Sequence, residues 1–361
     1  MTRTLKIAIP MAGYGSRMRP HTWSKPKPLI PLAGRTVLDH CLSQFSSLPA
    51  AFEPEYIFIV SPFQVEQVSA YLKQHYPGLP WQMVVQEVMR GQSDAVYLAR
   101  QFLQDEMLVC FSDTLVDANF TGLDQEPLDG IAWVKPVPDP RRFGVAEVNA
   151  SGRVTRFVEK PQSLENNRVV VGFYYFRSGQ ALMKAIEEQV RRNVSLKGEF
   201  FLTDAINILL ESGAKMRTQE VSVWLDAGIP DAVLETNRSL LAHAFLDRFV
   251  QTQGRALRGF TADTIQAIES HPWPGNVREM ENTIKRAGHG AGRGRRERAP
   301  EPAPGAGRSR TTRRRQGPRP LQYQCRPRGR DAGGQEAEPA GQAVPGLGLR
   351  QRGPVHRRKT S

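Results

Sequence analysis

The residues best suited to chemistry lie near the N-terminus, where Ala12-Gly13-Tyr14-Gly15-Ser16-Arg17 is followed by Lys25-Pro26-Lys27-Pro28-Leu29-Ile30-Pro31. Glycines let a backbone turn tightly and approach a polyphosphate, whose oxygens then accept from main-chain N–H groups. Arg17 adds a planar fork matched to phosphate and Lys27 a mobile point charge. The apolar run Leu5 to Ile9 just before them reads as a strand. Strand, glycine loop and basic residues in that order suit phosphate binding. The Gly-x-Gly pair alone reads equally as an ordinary strand-to-helix turn. The string is neither Gly-x-x-x-x-Gly-Lys-Ser/Thr nor Gly-x-Gly-x-x-Gly.

The elements that must position these groups follow from hydrophobic spacing. Short apolar runs at 5–9, 56–60, 83–85, 107–111 and 131–134 have strand length, and helical patterns lie between them at 37–48, 64–74 and 93–103. This alternation predicts an α/β fold: a mostly parallel, Rossmann-like sheet with helices on both faces. Runs at 144–148, 154–159 and 170–176 are joined by short turns such as Ala150-Ser151-Gly152, which predicts a smaller antiparallel extension. Helical patterns at 180–193 and 202–212 and a strand near 216–224 complete the region. Residues 240–287 read as helical, with a stop at His271-Pro272-Trp273-Pro274-Gly275.

The glycine-basic string, read as GxG[ST]R[LM]xPxT followed by PKPLIP, resembles the signature of sugar-nucleotidyltransferases of the glucose-1-phosphate uridylyl or thymidylyl kind. The resemblance extends over residues 1–240. It implies a Mg²⁺-dependent enzyme that joins UTP or dTTP to a sugar 1-phosphate, with glucose 1-phosphate as the default, and releases pyrophosphate. A mannose-1-phosphate guanylyltransferase is an alternative.

Residue by residue, the resemblance implies nucleotide binding by Ala12, Gly13, Gly15, Ser16, Gln86 and Gly91, with Gln86 and Gly91 facing the base. Arg17 and Lys27 would hold the triphosphate, and Lys160, in Val158-Glu159-Lys160-Pro161, the sugar phosphate. Gly144, Glu159 and Gly172 would line the sugar. Asp113, after Ser112 where the family has glycine, and Asp226, in Trp224-Leu225-Asp226-Ala227-Gly228, would bind one metal ion from distant parts of the chain. The blander readings, which the sequence favours less, are a solvated strand-end polar residue for Gln86 and a strand-end cap for Asp113.

Residues 241–287 resemble the helical lid of bacterial enhancer-binding AAA+ transcription activators, on the strings Leu246-Asp247-Arg248-Phe249, Arg258-Gly259-Phe260-Thr261 and Trp273-Pro274-Gly275-Asn276-Val277-Arg278-Glu279. In that family the residue matching Arg278 senses nucleotide. With no Gly-x-x-x-x-Gly-Lys-Ser/Thr and no GAFTGA loop in this chain, Arg278 reads instead as a solvated helix residue.

Net charge is +13, which taken over the whole chain would suggest a phosphate-bearing polymer or an anionic surface as partner. Its location argues otherwise. Residues 288–361 hold 18 of the 49 Lys and Arg but only 5 of the 36 Asp and Glu, so the whole surplus lies there. That tail is rich in Arg, Gly, Pro and Ala and has no Ile, Phe, Met, Asn or Trp, so it is expected to be disordered. Its composition is what an out-of-frame reading of a GC-rich gene produces. A plain linker and a nucleic-acid-binding tail on a catalytically silent transferase fold are the rival readings. With Tyr323 as its one base-stacking aromatic, nucleic acid is an unfavoured partner.

The three cysteines are widely spaced along the chain and form no CxxC pair, so neither a disulfide framework nor a zinc site is indicated, and a reducing compartment fits best. The sequence has no apolar leader and no spanning stretch of about 18 or more residues, so a cytoplasmic location without membrane association is expected. Enzymes of the resembled class often carry C-terminal helices or a left-handed β-helix that build oligomers. Neither of these oligomer-building extensions is recognisable after residue 240, where the helical stretch resembles a different family, so oligomeric state is open.

Overall fold

The structure, a computed structural model, describes residues 2–253, 257–260, 264, 267–268, 271, 273, 276–290 and 325–327. One compact unit covers Met1–Thr236 and a second begins at Asn237.

The first unit is built on β1 (Arg3–Pro10), whose Leu5, Ile7, Ala8 and Ile9 are fully buried. A strand apolar on both faces must be covered on both faces, which makes β1 central rather than an edge. Short antiparallel β2 (Pro31–Leu32) and β3 (Arg35–Thr36) lead into α1 (Val37–Ser43). Thr36 caps α1: its hydroxyl accepts from Asp39 N–H while the Asp39 carboxylate accepts from Thr36 N–H. Then come β4 (Phe52–Val60), α2 (Val65–His75), β5 (Trp81–Val85), α3 (Gln92–Leu98) and β6 (Met107–Cys110). β1 pairs in parallel with β4 on one side and β6 on the other, and β4 with β5.

The extension consists of β7 (Thr114–Val116), β8 (Gly130–Pro136), β9 (Gly144–Val148), β10 (Val154–Glu159) and β11 (Arg168–Phe176), then α4 (Gly179–Arg191), α5 (Leu202–Glu211), β12 (Met216–Glu220) and β13 (Trp224–Asp226); α6 (Pro230–Gln253) begins in this unit and continues into the second. β11 runs antiparallel to β6, β8 and β9, and so ties the parallel half to the extension in one nine-stranded sheet. β13 and β7 form a separate two-stranded ladder. Phe45, Phe120, Trp133 and Phe173 pack as one aromatic cluster beneath β11, with ring centroids 5.0–6.3 Å apart.

Three local details differ from the sequence expectation. α3 stops at Leu98 and continues only as turns. The strand near 216–224 is two strands, β12 and β13. Leu257–Phe260, inside a stretch read as helical, is a strand paired antiparallel with Cys325–Pro327, three residues of the tail expected to be disordered. Leu257-Arg258-Gly259-Phe260 is too short to hold a helical period, and its glycine disfavours a helix. The rest of the tail beyond Gly290 lies outside the described residues.

In the second unit, Ala242, Leu246, Ile268, Trp273, Met280 and Ile284 form a core of their own, with the Trp273 indole N–H donating to the Ile268 carbonyl at 2.9 Å. No described helix is long and apolar enough to cross a membrane.

Candidate active site

The carboxyl ends of β1 and β6, the middle of β11 and the start of α3 surround two adjoining clefts of about 430 and 190 Å³. Openings at the carboxyl ends of parallel strands are where α/β sheets bind ligands, because the connecting loops diverge there.

The first cleft takes its floor from the glycine loop. Gly15 has φ +61°, a left-handed conformation that costs glycine least. Thr22 fixes it from below by donating its hydroxyl to the Gly15 carbonyl at 2.8 Å. Ala12, Gly13, Gly15, Ser16, Arg17, Lys27, Gln86, Gly91 and Asp113 all line this cleft. Gln86 is buried rather than solvated, and its amide donates to the Asp94 carboxylate at 3.0 Å and the Gly91 carbonyl at 3.3 Å. Gly91 has φ +113°, and a Cβ there would lie 2.5 Å from backbone atoms of Phe200, so only glycine lets the start of α3 lie against that strand of chain.

The second cleft holds Gly144, Glu159, Gly172, Asp113 and Asp226. Gly144 faces Glu159 across the β9–β10 ladder. Burial pushes the Glu159 carboxyl above its ordinary value, against the opposing pull of Lys160 and of the Thr203 hydroxyl that donates to it at 3.2 Å. Gly172 has φ +78°, and a Cβ there would meet the Phe111 ring at 2.4 Å. The glycine bulge in β11 thus makes room for the aromatic wall shared by both clefts.

The two aspartates, 113 residues apart, are brought side by side by the small ladder. Asp226 pairs with Thr114, and the Ala227 N–H donates to the Asp113 carbonyl at 2.9 Å. Ser112, where glycine was expected, is accommodated as a buried residue. Asp113 accepts from the Lys27 ammonium at 2.5 Å. Burial works against the Asp113 charge, but Lys27, and more distantly Arg17, outweigh it and hold the carboxyl below its usual value. Asp226 shifts the other way: burial first and the neighbouring Asp113 charge second raise it, though the Gly228 N–H donates to its Oδ1 at 2.6 Å. Two hard carboxylate donors repelling each other at one point fit a divalent cation. Among the described residues there is no cluster of three or more His, Cys, Asp or Glu, so protein ligands alone leave most coordination positions to substrate oxygens or water.

Lys160 is the one expected site residue that lines neither cleft. Its backbone is left-handed at φ +49°, and its ammonium lies 4.3 Å from the centre of the Phe201 ring and 4.0 Å from the Glu159 carboxylate.

Arg17, Gln92, Phe111, Asp113 and Gly228 line both clefts. Of these, the sequence reading gave roles only to Arg17 and Asp113. Gln92 directly follows Gly91, and Gly228 closes the 224–228 string. Trp224, which opens that string, and Arg142, two residues before Gly144, line the second cleft.

The sequence model of the nucleotidyl transferase family matches residues 8–243, and that of an AAA+ ATPase lid domain matches residues 237–293. The chain is 31% identical over 233 residues to the bifunctional protein GlmU of Methanococcus maripaludis, covering 64% of this chain and 53% of that protein. It is 26% identical to the UTP–glucose-1-phosphate uridylyltransferase AglF of Haloferax volcanii, covering 63% of this chain and 93% of that one. This chain therefore spans about half the length of the GlmU proteins it matches. The fold is similar to that of a putative glucose-1-phosphate thymidylyltransferase from Bacillus anthracis, at a TM-score of 0.56 and 23% identity, over 65% of this chain and 94% of that one.

Proposed function

The chain belongs to the nucleotidyl transferase family, and from that premise we propose that residues 1–240 join UTP or dTTP to a sugar 1-phosphate, glucose 1-phosphate by default, and release pyrophosphate. The observation that carries this reading is that Asp113 belongs to two adjoining clefts at once, one walled by a glycine loop with Arg17 and Lys27, the other by Glu159 and Gly144.

The reaction is an in-line attack of a sugar-phosphate oxygen on the α-phosphorus. That oxygen is already anionic near neutral pH, so the chain needs no strong base. It must align two polyanions and offset their repulsion. In this reading the loop amides of Gly13 to Ser16 and the cations of Arg17 and Lys27 bind the triphosphate. Gln86 and Gly91 face the base. Glu159, Gly144 and Gly172 orient the sugar hydroxyls, and Lys160 swings from the Phe201 ring to the sugar phosphate. Asp113 and Asp226 would hold Mg²⁺, which would supply charge withdrawal at the α-phosphate.

We assign residues 241–287 no ATPase role, because the chain lacks the phosphate loop such a lid would close upon. Residues 288–361 we take as a tail without catalytic part, in keeping with an out-of-frame origin. A cytoplasmic setting is in keeping with the free thiols of Cys41 and Cys110.

The test is pyrophosphate release with Mg²⁺ from UTP, dTTP, GTP, CTP and ATP, each with glucose 1-phosphate and mannose 1-phosphate. Turnover is expected with a pyrimidine triphosphate and glucose 1-phosphate. Turnover confined to GTP and mannose 1-phosphate would replace the substrate pair, and none with folded protein would remove the assignment.

A further inference from the structure

Lys27 and Asp113 lie 86 residues apart, and their side chains meet Nζ to Oδ2 at 2.5 Å. The pair is largely shielded, with side-chain exposures of 13% and 31%. Lys27 rises from a short 3-10 turn, Lys27–Leu29, flanked by Pro26 and containing Pro28. That turn is stiff, while the four-carbon stem above it can swing. Lys27 lines the first cleft only, whereas Asp113 lines both.

The neighbouring carboxylate is treated differently. Asp226 forms no ion pair among the described residues, and its Oδ1 accepts only from the Gly228 backbone N–H at 2.6 Å. Arg17 lines both clefts, and among the described residues it makes no side-chain hydrogen bond or ion pair there. Two adjacent carboxylates therefore share a single close cation, supplied by the chain itself.

We propose that Lys27 is a built-in placeholder cation: in the free protein its ammonium occupies the Asp113 oxygen that a divalent metal ion needs, and the arriving ion displaces it toward the polyphosphate in the first cleft. This rests on reading Asp113 and Asp226 as metal ligands. An ammonium and a metal ion cannot both lie against Oδ2 without strong like-charge repulsion at that separation. Displacement resolves the conflict, because the first cleft offers the freed ammonium an anion when a triphosphate is bound. Metal and triphosphate then favour each other through one side chain. The coupling is reciprocal, since each ligand removes a competitor of the other.

The experiment titrates Mn²⁺ into the full chain without nucleotide, following the free ion by electron paramagnetic resonance. Lys27→Met is expected to bind Mn²⁺ about tenfold or more tighter than the unaltered chain, since the metal no longer competes with a shielded ion pair. In both backgrounds Asp226→Asn should weaken binding. Equal Mn²⁺ affinity with and without Lys27 would overturn the placeholder and leave the metal site standing. Binding indifferent to Asp226→Asn, or none at all, would overturn the metal-site reading beneath it. A second measurement needs no variant: acetylation of Lys27 in the unaltered chain, read by mass spectrometry, should quicken severalfold when Mn²⁺ alone is added. An unchanged rate would overturn the displacement even if Lys27→Met fails to fold.

Discussion

Ala227 donates its backbone N–H to the carbonyl of Asp113 at 2.9 Å, and this bond sets the second aspartate of the site beside the first. The bond extends a two-stranded ladder of three residues a side, β7 with β13, in which Asp226 pairs with Thr114. Removing one charge from such a site typically costs about 2.7–4 kcal/mol of barrier, so Asp113→Asn and Lys27→Ala should each slow kcat by roughly 10²–10³-fold. Steady-state pyrophosphate release measures this, and near-normal rates would contradict the assignment.

Asp226→Asn should stabilise the protein while disabling it. The raised carboxyl of Asp226 comes from burial and from Asp113 close by, so its charged form opposes folding. Its protonated form is held more tightly in the folded chain than in the unfolded one. The stabilisation this gives is complete below the ordinary carboxylate range and is lost as pH rises through the raised value. Asparagine keeps an acceptor for Gly228 N–H without the charge. A rise in Tm of about 2–4 °C at neutral pH, the equivalent of about 1 kcal/mol in a domain of this size, is expected, fading as pH is lowered. A lower Tm at pH 7 in metal-free buffer would count against it.

Gly172→Ala should damage both stability and turnover. The added methyl would meet the Phe111 ring at 2.4 Å in a left-handed backbone, so either the ring or β11 must move. A loss of about 1–3 kcal/mol in urea unfolding is expected, with a fall in kcat as the shared wall shifts. Gly78→Ala, in open space at negative φ, is the neutral comparison.

Gln86→Leu should raise KM for the nucleoside triphosphate about tenfold or more and alter kcat less, because a buried amide proposed to face the base is replaced by a group with no donor or acceptor. Initial rates at varied triphosphate measure the split. A change confined to kcat would argue that Gln86 only braces Asp94.

How much of this was legible in the sequence depended on how local the signal was. The glycine loop was readable because its turn, its basic residues and the strand before it are neighbours in the chain. The sheet was readable because fully buried strands such as β1 and β6 leave uninterrupted apolar runs. Lys160 was harder: the motif identifies the residue, but the side-chain direction depends on the Phe201 ring supplied 41 positions later. Cys41 and Cys110 are far apart in sequence, yet their sulfurs, one on α1 and one at the end of β6, lie 3.8 Å apart. No spacing rule anticipates that. Arg142 and Trp224 stand in or beside readable motifs, but their place in a cleft wall comes from packing between strands.

The wall common to both clefts has a kinetic consequence. Arg17, Gln92, Phe111, Asp113 and Gly228 cannot adjust to one occupant without altering the space for the other. Two substrates laid against such a partition behave as halves of a single larger ligand. A molecule that already joins a pyrimidine nucleoside to a hexose through a diphosphate would straddle the partition and exclude both substrates at once. One bound equivalent per chain, competitive against each substrate in turn, is the inhibition pattern that the proposed reaction predicts for this partition.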